Sequence, residues 1–335
     1  MIPAGAHVHF VGIGGAGMSA LAQLMLGRGF IVSGCDLRDS EATHRLRRLG
    51  AVVYIGHAPR HLAGVDIVVI SRAIPQDTDE MEAARVRGLP ILHRAAVLGQ
   101  VLAMGKGVAV VGTHGKTTTT AMLTRALTVG GLDPTALIGA DVAEYGGNVR
   151  SGAGQWIVAE VDESDGSLLH VAPFAAVLTS LDVTDHRDFY TSAAHLSETF
   201  VRFLRSVDAS GFLIACIDHP EVSSLRATLG RPVVTYGFDR KAAVRGTVKS
   251  LEGETSRTAV WVNRRPVGEL VLHVAGRHNI CNALGAIAAA HHAGVPADVA
   301  IEALRDYRGA SRRFAIRGEA HGVLVVDDYA HNPTK

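Results

Sequence analysis

Short runs rich in valine and isoleucine alternate with amphipathic segments through the first hundred residues. This alternation restricts the possible folds more than any other feature of the sequence. The runs are HVHFVGI (7–13), FIVSGCD (30–36), AVVYIG (51–56), VDIVVIS (65–71) and LPILH (89–93). Helices are predicted between them, including MSALAQLMLGRG (18–29) and TDEMEAARVRG (78–88), because each segment ends in a glycine just beyond its last turn. Strands and helices that alternate in this way predict an α/β fold with a parallel sheet wrapped by helices.

The pattern restarts at GVAVVG (107–112), so we place a domain boundary near residue 104. Further buried strands are predicted at QWIVAEVD (155–162), FAAVLTSLD (174–182) and GFLIACID (211–218). Two stretches that alternate polar and apolar residues then predict antiparallel strands, and an alanine-rich segment predicts a helix. These are RGTVKSL (245–251), RTAVWVN (257–263) and NICNALGAIAAAHHAG (279–294).

The last 25 residues, SRRFAIRGEAHGVLVVDDYAHNPTK (311–335), predict a hairpin-like pair of strands. A third α/β unit would need roughly a hundred further residues to close a core of its own, so we expect it to be only begun. The predicted domains are therefore 1–103, 104–310 and the start of a third at 311–335.

Length and charge limit the classes of protein that remain. At 335 residues the chain is about twice as long as a typical domain, so two or more domains are expected. Lysine and arginine number 33 against 32 aspartate and glutamate, and a net charge of +1 gives no general attraction for nucleic acid or an anionic membrane. The apolar runs are too short to span a membrane, and MIPAGAHVHF enters a strand pattern without a signal peptide. We expect a cytoplasmic protein.

The cysteines and most histidines receive ordinary structural interpretations. Cys35, Cys216 and Cys281 lack CxxC spacing, which predicts buried thiols rather than disulfides or a zinc cluster. His57 and His61 have helical spacing, but the intervening Pro59 argues against a helix, and we assign these two histidines no function. His291 and His292 are predicted at a helix end, where a cation is favourable.

The segment VVGTHGKTTTT (110–120) predicts a nucleotide phosphate site. A valine strand leads into two glycines, and the helix predicted from Lys116 to Thr128 supplies backbone N–H groups for anionic oxygens, a lysine for the outer phosphates and Thr117 for magnesium. The strict phosphate-loop pattern has glycine where this chain has Val110, so the match is imperfect. The predicted contacts are Gly112, Thr113, His114, Gly115, Lys116, Thr117 and Thr118.

The first strand ends in VGIGGAGM (11–18), which places Gly12, Gly14 and Gly17 at a strand-to-helix turn. Asp36 ends the second strand, where an acid can reach a ribose while the turn admits a diphosphate. NAD fits this arrangement, and so does any other nucleotide diphosphate. The predicted contacts are Gly14, Gly15, Ala16, Gly17 and Asp36.

Acidic residues and one histidine follow two later strands. In AEVDESD (159–165), Glu160 is placed to ligate a magnesium ion together with the phosphate-loop threonine. The sequence leaves open whether Glu163 and Asp165 take part or belong to a solvated acidic loop. His186 follows the next strand, in LDVTDHRDFY (181–190), and both a metal ligand and a surface histidine fit that position.

Seven segments resemble the Mur ligases in their order and approximate spacing, and the opening is most similar to the members that join L-alanine to UDP-N-acetylmuramate. The segments are HFVGIGGAGMSALA, VVISRAI, GTHGKTTTT, AEVDESD, AGRHNICNALGA, GASRRF and VVDDYAHNPT. The resemblance implies a Rossmann-like UDP-substrate domain, a central phosphate-loop ATPase domain with a small antiparallel addition, and a smaller C-terminal domain. It assigns the first glycine turn to the UDP-sugar and the second to ATP.

The resemblance also implies roles for individual residues. Lys116 and Thr117 would hold the ATP phosphates and Mg²⁺, and Glu160 and His186 would ligate metal. The remaining implied contacts are His278 and Asn279 to adenine, Arg313 and Asp328 to the γ-phosphate and ribose, and Ser71 and Arg94 to the UDP-sugar. The catalytic residues by this assignment are Lys116, Glu160, His186 and Arg313.

Three positions depart from the family pattern. Ser180 stands where the family often has asparagine, and the spacing from it to His186 is one residue longer than usual. Asn332 and Lys335 stand where the family commonly has histidine and glutamate.

The implied reaction is ATP-driven amide formation in peptidoglycan precursor synthesis, in which an acyl phosphate of the lactyl carboxylate is opened by L-alanine. Because part of the amino-acid site is implied to lie beyond Lys335, we expect this chain to ligate poorly. The alternatives are another Mur-type ligase that recycles muramyl peptides, a nucleotide-binding module without catalysis, and an NAD-dependent dehydrogenase. The last leaves GTHGKTTTT and AEVDESD unexplained.

Overall fold

The structure is a computed structural model that separates the chain into two units, Met1–Val101 and Leu102–Lys335. The described residues are 2–75, 77–164, 166–182 and 189–330. The α/β fold expected from the sequence is confirmed in both units, whereas the three predicted domains and their boundaries stay a prediction.

The first unit is built on a parallel sheet of five strands in the order β3-β2-β1-β4-β5. Its elements are β1 (His7–Val11), α1 (Ala16–Gly27), β2 (Ile31–Asp36), α2 (Glu41–Arg48), β3 (Val52–Ile55), β4 (Ile67–Ile70), α3 (Asp79–Val86), β5 (Ile91–His93) and α4 (Arg94–Leu102). The strand order reverses direction at β1, because β2 lies on one side of it and β4 on the other. In sheets of this kind, ligands bind at the carboxyl edge beside such a point.

One local prediction in this unit is wrong. Pro59 does not prevent helix formation near His57 and His61, because residues Pro59–Leu62 form a short 3-10 helix with the proline at its first turn. Proline is tolerated there, since the first N–H groups of a helix have no partner within it. The turn buries His61.

The second unit contains a mixed sheet of ten strands in the order β15-β14-β13-β12-β11-β10-β6-β9-β7-β8. Its strands in that sheet are β6 (Lys106–Val111), β7 (Thr135–Val142), β8 (Gly147–Arg150), β9 (Trp156–Glu160), β10 (Ala175–Leu178), β11 (Leu213–Cys216), β12 (Val234–Gly237), β13 (Val244–Glu252), β14 (Thr255–Val262) and β15 (Arg265–Leu272). Its helices are α5 (Lys116–Val129), α6 (Ala193–Arg205), α7 (Pro220–Ala227), α8 (Arg277–His292) and α9 (Ala297–Ala303).

The predicted change from buried to alternating strands is confirmed in this sheet. Strand β6 is buried along Val108–Val111 and pairs in parallel with both β9 and β10. Strands β13 and β14 alternate buried and exposed residues and pair antiparallel. Helices α5 and α8 pack against each other, and the apolar face of α5 and the alanine-rich face of α8 enter the same core as β6.

The predicted terminal hairpin is also present, as antiparallel strands β16 (Ala315–Ala320) and β17 (Val323–Asp327). Among the helices in the described ranges, none has the length and apolar character needed to cross a membrane.

Candidate functional site

The predicted residues of the first unit lie at one edge of its sheet. The glycine turn follows β1, Asp36 ends β2, Ser71 follows β4 and Arg94 follows β5. Because all five strands are parallel, these positions share the carboxyl edge, at the reversal point of the strand order. The structure thus brings the predicted substrate residues of this unit together.

Asp36 shapes the glycine turn as well as ending β2. Its Oδ2 accepts a hydrogen bond from the Gly14 N–H at 2.9 Å, and its Oδ1 accepts one from the Arg38 N–H at 3.1 Å. The backbone N–H of Gly12 also donates to the carbonyl of Cys35 at 2.8 Å, so the end of β2 holds the turn at two points. The sequence predicted a ligand contact for Asp36 and missed this structural role.

The turn leaves the start of α1 accessible. Gly15, Ala16 and Gly17 are exposed, and the first turn of α1 has no side-chain cap for its N–H groups. The Arg94 guanidinium lies beside Gly17, where a Cβ would come within 3.1 Å of its Nη1. Backbone N–H groups at a helix start and a neighbouring guanidinium form a favourable environment for a diphosphate.

The phosphate-type loop of the second unit is held by the end of the neighbouring strand β10. The Ser180 Oγ accepts a hydrogen bond from the His114 N–H at 2.8 Å, and the Thr113 Oγ1 accepts one from the Asp182 N–H at 2.9 Å. The Thr179 hydroxyl donates to the His114 carbonyl. Ser180, noted above as a departure from the family pattern, therefore fixes the loop, and sequence reasoning missed this role.

Gly115 begins α5 in a left-handed conformation that only glycine adopts easily, with φ +81°. A Cβ there would lie 2.3 Å from the Asn282 Oδ1 of α8. Gly131 has nearly the same φ, +77°, but a Cβ on it would meet no atom within 4 Å. The two glycines thus share a backbone requirement and differ in the space around them.

We expect Gly115→Ala to lower the free energy of unfolding by roughly 2–5 kcal/mol and Gly131→Ala by only about 1–2 kcal/mol. The left-handed strain is common to both variants, while the collision with Asn282 affects only the first. Urea unfolding followed by circular dichroism measures both values. The double variant Gly115→Ala/Asn282→Ala should recover most of the difference, and equal losses for the two single variants would show that the close approach costs nothing.

Lys116 lies between the loop and the acidic strand end of β9. Its Nζ donates to the Gly112 carbonyl at 2.8 Å and to the Glu163 Oε2 at 2.7 Å. Burial alone would lower the pKa of Lys116, but the negative charges of Glu163, Asp162 and Glu160 raise it above its usual value. Glu163 is fully buried, so the solvated acidic loop, one of the two alternatives that the sequence left open, does not apply to it. The lysine is positively charged and held beside the loop.

Thr117 connects Glu160 with Arg313. Its hydroxyl donates to the Glu160 Oε2 at 2.7 Å and accepts from the Arg313 Nη2 at 3.0 Å. The Glu160 carboxylate packs over Gly139, where a Cβ would lie 2.3 Å from the same oxygen. Three of the predicted catalytic and metal-binding residues therefore meet at one point. A hydroxyl and a carboxylate are the hard oxygen ligands that Mg²⁺ prefers, so this pair fits such an ion.

Two of the predicted adenine and ribose residues, His278 and Asp328, lie close enough for their charges to interact. Partial loss of hydration lowers the pKa of the His278 imidazole, and the negative charge of Asp328 acts in the opposite direction, so these side chains interact. The Asp328 Oδ2 accepts a hydrogen bond from the Phe314 N–H at 2.8 Å. The Asn279 Nδ2 donates to the Ala275 carbonyl at 2.7 Å. The metal-ligand prediction for His186 falls outside the described residues, as do Asp165, Asn332 and Lys335.

Two family models match the chain. Residues 7–106 match the model of the Mur ligase family catalytic domain, and residues 110–290 match that of the Mur ligase middle domain. The UDP-N-acetylmuramate–L-alanine ligase of Acidothermus cellulolyticus is 48% identical over 98% of this chain and 69% of its own length. The ligase of the same name from Pelotomaculum thermopropionicum is 44% identical over 98% of this chain and 71% of its own.

Solved structures agree with these matches. The UDP-N-acetylmuramate–alanine ligase MurC of Thermotoga maritima has a TM-score of 0.86 and 31% identity, over 98% of this chain and 75% of that one. The UDP-N-acetylmuramate:L-alanyl-γ-D-glutamyl-meso-diaminopimelate ligase of Neisseria meningitides has a TM-score of 0.83 and 29% identity, over 92% of this chain and 99% of that one.

Proposed function

Because the chain belongs to the Mur ligase family, we propose that it joins L-alanine to the lactyl carboxylate of UDP-N-acetylmuramate at the expense of ATP, in peptidoglycan precursor synthesis in the cytoplasm. The single observation that carries the proposal is the presence of two separate glycine turns, each at the carboxyl end of a buried strand. One follows β1 and the other follows β6, and each begins a helix.

The first turn is suited to the UDP-sugar. The exposed start of α1 offers backbone N–H groups to a diphosphate, and Arg94 adds a positive charge beside them. We assign Ser71, which follows β4 at the same edge of the sheet, to the sugar. We assign the contacts Gly14, Gly15, Ala16, Gly17, Asp36, Ser71 and Arg94 to this substrate.

Asp36→Ala is expected to raise KM for UDP-N-acetylmuramate about ten- to a hundredfold, because a hydrogen bond to a charged acceptor contributes roughly 1.5–3 kcal/mol. Loss of the carboxylate frees the Gly14 N–H and loosens the turn. The matched control is Asp66→Ala, since Asp66 accepts from the His7 N–H at the opposite end of β1. Initial rates at varied UDP-N-acetylmuramate give both values, and an unchanged KM in Asp36→Ala would remove this residue from the site.

The second turn is suited to ATP. Lys116 supplies positive charge beside the loop, and Arg313 supplies a second positive group at Thr117. Mg²⁺, held by Thr117 and Glu160 with His186 as a further assigned ligand, would neutralise phosphate charge during the reaction. We assign His278, Asn279 and Asp328 to the nucleoside.

The chemistry follows from these charges. The lactyl carboxylate attacks the γ-phosphorus of ATP and ADP leaves, and the amine of L-alanine then displaces phosphate from the resulting acyl phosphate. Attack of one anion on another is opposed by electrostatic repulsion. Lys116, Arg313 and the first N–H groups of α5 reduce that repulsion because they are fixed in position before the reaction. Alignment of the carboxylate with the phosphorus in the bound complex also lowers the activation barrier.

A second candidate is ligation of a peptide rather than free L-alanine. The likeness to the Neisseria protein, whose full length is almost entirely covered, favours it. The two candidates share the nucleotide chemistry and differ only in the amine that opens the acyl phosphate.

Product analysis tests both candidates. The protein is incubated with UDP-N-acetylmuramate, ATP and Mg²⁺, and with either L-alanine or the L-Ala-γ-D-Glu-meso-diaminopimelate tripeptide. We expect ADP, phosphate and UDP-N-acetylmuramoyl-L-alanine in equal amounts with L-alanine, and no amide with the tripeptide. Calorimetry adds a second criterion, since UDP-N-acetylmuramate and ATP should bind without competing. Competition for one site would contradict the proposal.

A further inference from the structure

A group of side chains of the types that ligate metal ions lies in the core of the first unit. These side chains have no part in the proposed reaction. Its members are His9 on β1, Cys35 on β2, His57 after β3, His61 in the 3-10 helix and Glu80 on α3. His9, Cys35 and Glu80 have no exposed surface, and His61 is 3% exposed. Fully buried charged and polar groups are uncommon without a partner of opposite charge or a metal.

The potential ligand atoms point at one another. The Cys35 Sγ lies 3.1 Å from the His57 Nδ1 and 2.9 Å from the Glu80 Oε2, and those two atoms are 3.0 Å apart. The other oxygen of Glu80 lies 3.3 Å from the His9 Nε2. Ligand atoms around a tetrahedral zinc ion are separated by about 3.3–3.6 Å, as its bond lengths require. For the Cys35, His57 and Glu80 atoms, an expansion of a few tenths of an ångström would therefore admit the ion. His9, Cys35 and Glu80 each offer a ligand atom within 4.8 Å of the other two, so His9 reaches the ion by a larger movement.

Histidine 9 is oriented as a metal ligand would be. Its Nδ1 contacts the Ser33 Oγ at 2.8 Å, and the same oxygen contacts the His7 Nε2 at 2.8 Å. The contact on Nδ1 fixes the ring and directs Nε2 into the group. That buried nitrogen faces the Glu80 Oε1, 3.3 Å away. A second contact that fixes the ring and directs its other nitrogen at the ligand group is typical of histidines in metal sites.

Glu80 carries the negative charge of the group. Burial alone would raise the pKa of its carboxyl, but the surrounding His9, Cys35 and His57 lower the pKa to about 2. The His61 Nδ1 contacts its Oε1 at 3.0 Å, and the His61 ring stacks on Tyr54 with 4.1 Å between centroids. His61 therefore holds the carboxylate in place from the side.

We propose that His9, Cys35, His57 and Glu80 bind one Zn²⁺ ion, with His61 and Ser33 as outer contacts. One sulfur, two imidazole nitrogens and a carboxylate oxygen match the ligand types and the coordination number that zinc takes in closed structural sites. Mg²⁺ is a poor competitor because it requires oxygen ligands. The His57 side chain, 18% exposed, gives the ion its route to solvent.

The site would support the substrate turn from behind. The carbonyl of Cys35 accepts hydrogen bonds from the N–H groups of Gly12 and Ile13, and Asp36 is the next residue. A metal that fixes Cys35 therefore fixes the end of β2 on which the turn depends. The proposal does not depend on which reaction the chain performs, since every ligand lies in the first unit.

Cobalt(II) is the probe for this site because it adopts zinc-like coordination and absorbs visible light. The whole chain is freed of metal with a chelator, desalted and titrated with Co²⁺ in excess Mg²⁺, which occupies oxygen-only sites. We expect one equivalent to bind with visible bands of a tetrahedral ion and a near-ultraviolet thiolate band, and one equivalent of Zn²⁺ to abolish both. Absence of this one-equivalent binding would overturn the proposal.

The variants assign the site to its residues. Cys35→Ser should lose the thiolate band, and Glu80→Gln should weaken Co²⁺ binding by more than the roughly 10–100-fold typical of an outer contact. His57→Gln, at the partly exposed position, gives the same test if a core variant fails to fold by circular dichroism. Cys216→Ser and His44→Gln are matched controls that should bind as the unchanged protein does. Retention of the band in Cys35→Ser, or its loss in Cys216→Ser, would overturn the proposal.

Discussion

Replacement of Lys116 by methionine is expected to lower ATP-dependent phosphate release by about a hundred- to a thousandfold, the usual loss for one fixed group that stabilises charge in a transition state. The Nζ lies at the phosphate-type loop, 2.8 Å from the Gly112 carbonyl. Methionine keeps the length of the side chain and removes its charge. The measurement is phosphate release at saturating ATP and UDP-N-acetylmuramate.

Stability must be separated from catalysis in this experiment. Lys116→Met also leaves the buried Glu163 without the ammonium group 2.7 Å away, and breaking a buried pair costs about 3–5 kcal/mol. The double variant Lys116→Met/Glu163→Gln removes both charges, and we expect it to regain most of the stability but none of the activity. Recovery of phosphate release in the double variant would show that Lys116 acts only by neutralising Glu163.

The candidate site residues that the structure brings together as predicted are those whose position is encoded locally. Lys116 and Thr117 follow a glycine turn at the end of a strand and begin a helix. This local backbone places both residues beside the loop independently of the rest of the fold. The same holds for the turn after β1. Local spacing fixed these positions because three or four neighbouring residues determine the backbone of a strand-to-helix turn.

The residues that were missed take part through neighbours distant in the chain. Ser180 and Thr179 hold the loop because β10 is adjacent to β6, and Asn282 limits Gly115 because α8 packs on α5. The acidic local sequence left open whether Glu163 is solvated, and the packing of the second unit buries it against Lys116. Strand order and helix packing determine these long-range contacts, and a local sequence motif predicts neither of them.

The group around Glu80 was missed for the same reason. Its ligand candidates come one from each of several elements, so no CxxC or HxxH spacing marks them. The interpretation of Pro59 as a helix breaker also hid the turn that carries His61. A proline starts a short helix as readily as it ends one, because its fixed φ suits the first turn.

Glu160→Gln is expected to raise the Mg²⁺ concentration for half-maximal phosphate release by at least about tenfold, with a lower rate at saturation. The carboxylate lies 2.7 Å from the Thr117 hydroxyl, and together they form the oxygen ligand pair of the proposed ATP site. The measurement is phosphate release against Mg²⁺ concentration at fixed ATP. Glu144→Gln is the matched control, because that exposed carboxylate pairs with Arg125 and should leave the Mg²⁺ dependence unchanged.

The amide variant distinguishes two roles that the geometry allows for Glu160. If the carboxylate only orients the Thr117 hydroxyl, the amide oxygen of glutamine accepts the same hydrogen bond and the Mg²⁺ dependence stays as it was. If the carboxylate holds the ion, the loss of its charge weakens binding even though the hydrogen bond survives, because Mg²⁺ takes anionic oxygens in preference to neutral ones. The shift in Mg²⁺ dependence therefore measures the metal role alone, while a fall in rate without that shift would assign Glu160 to positioning Thr117.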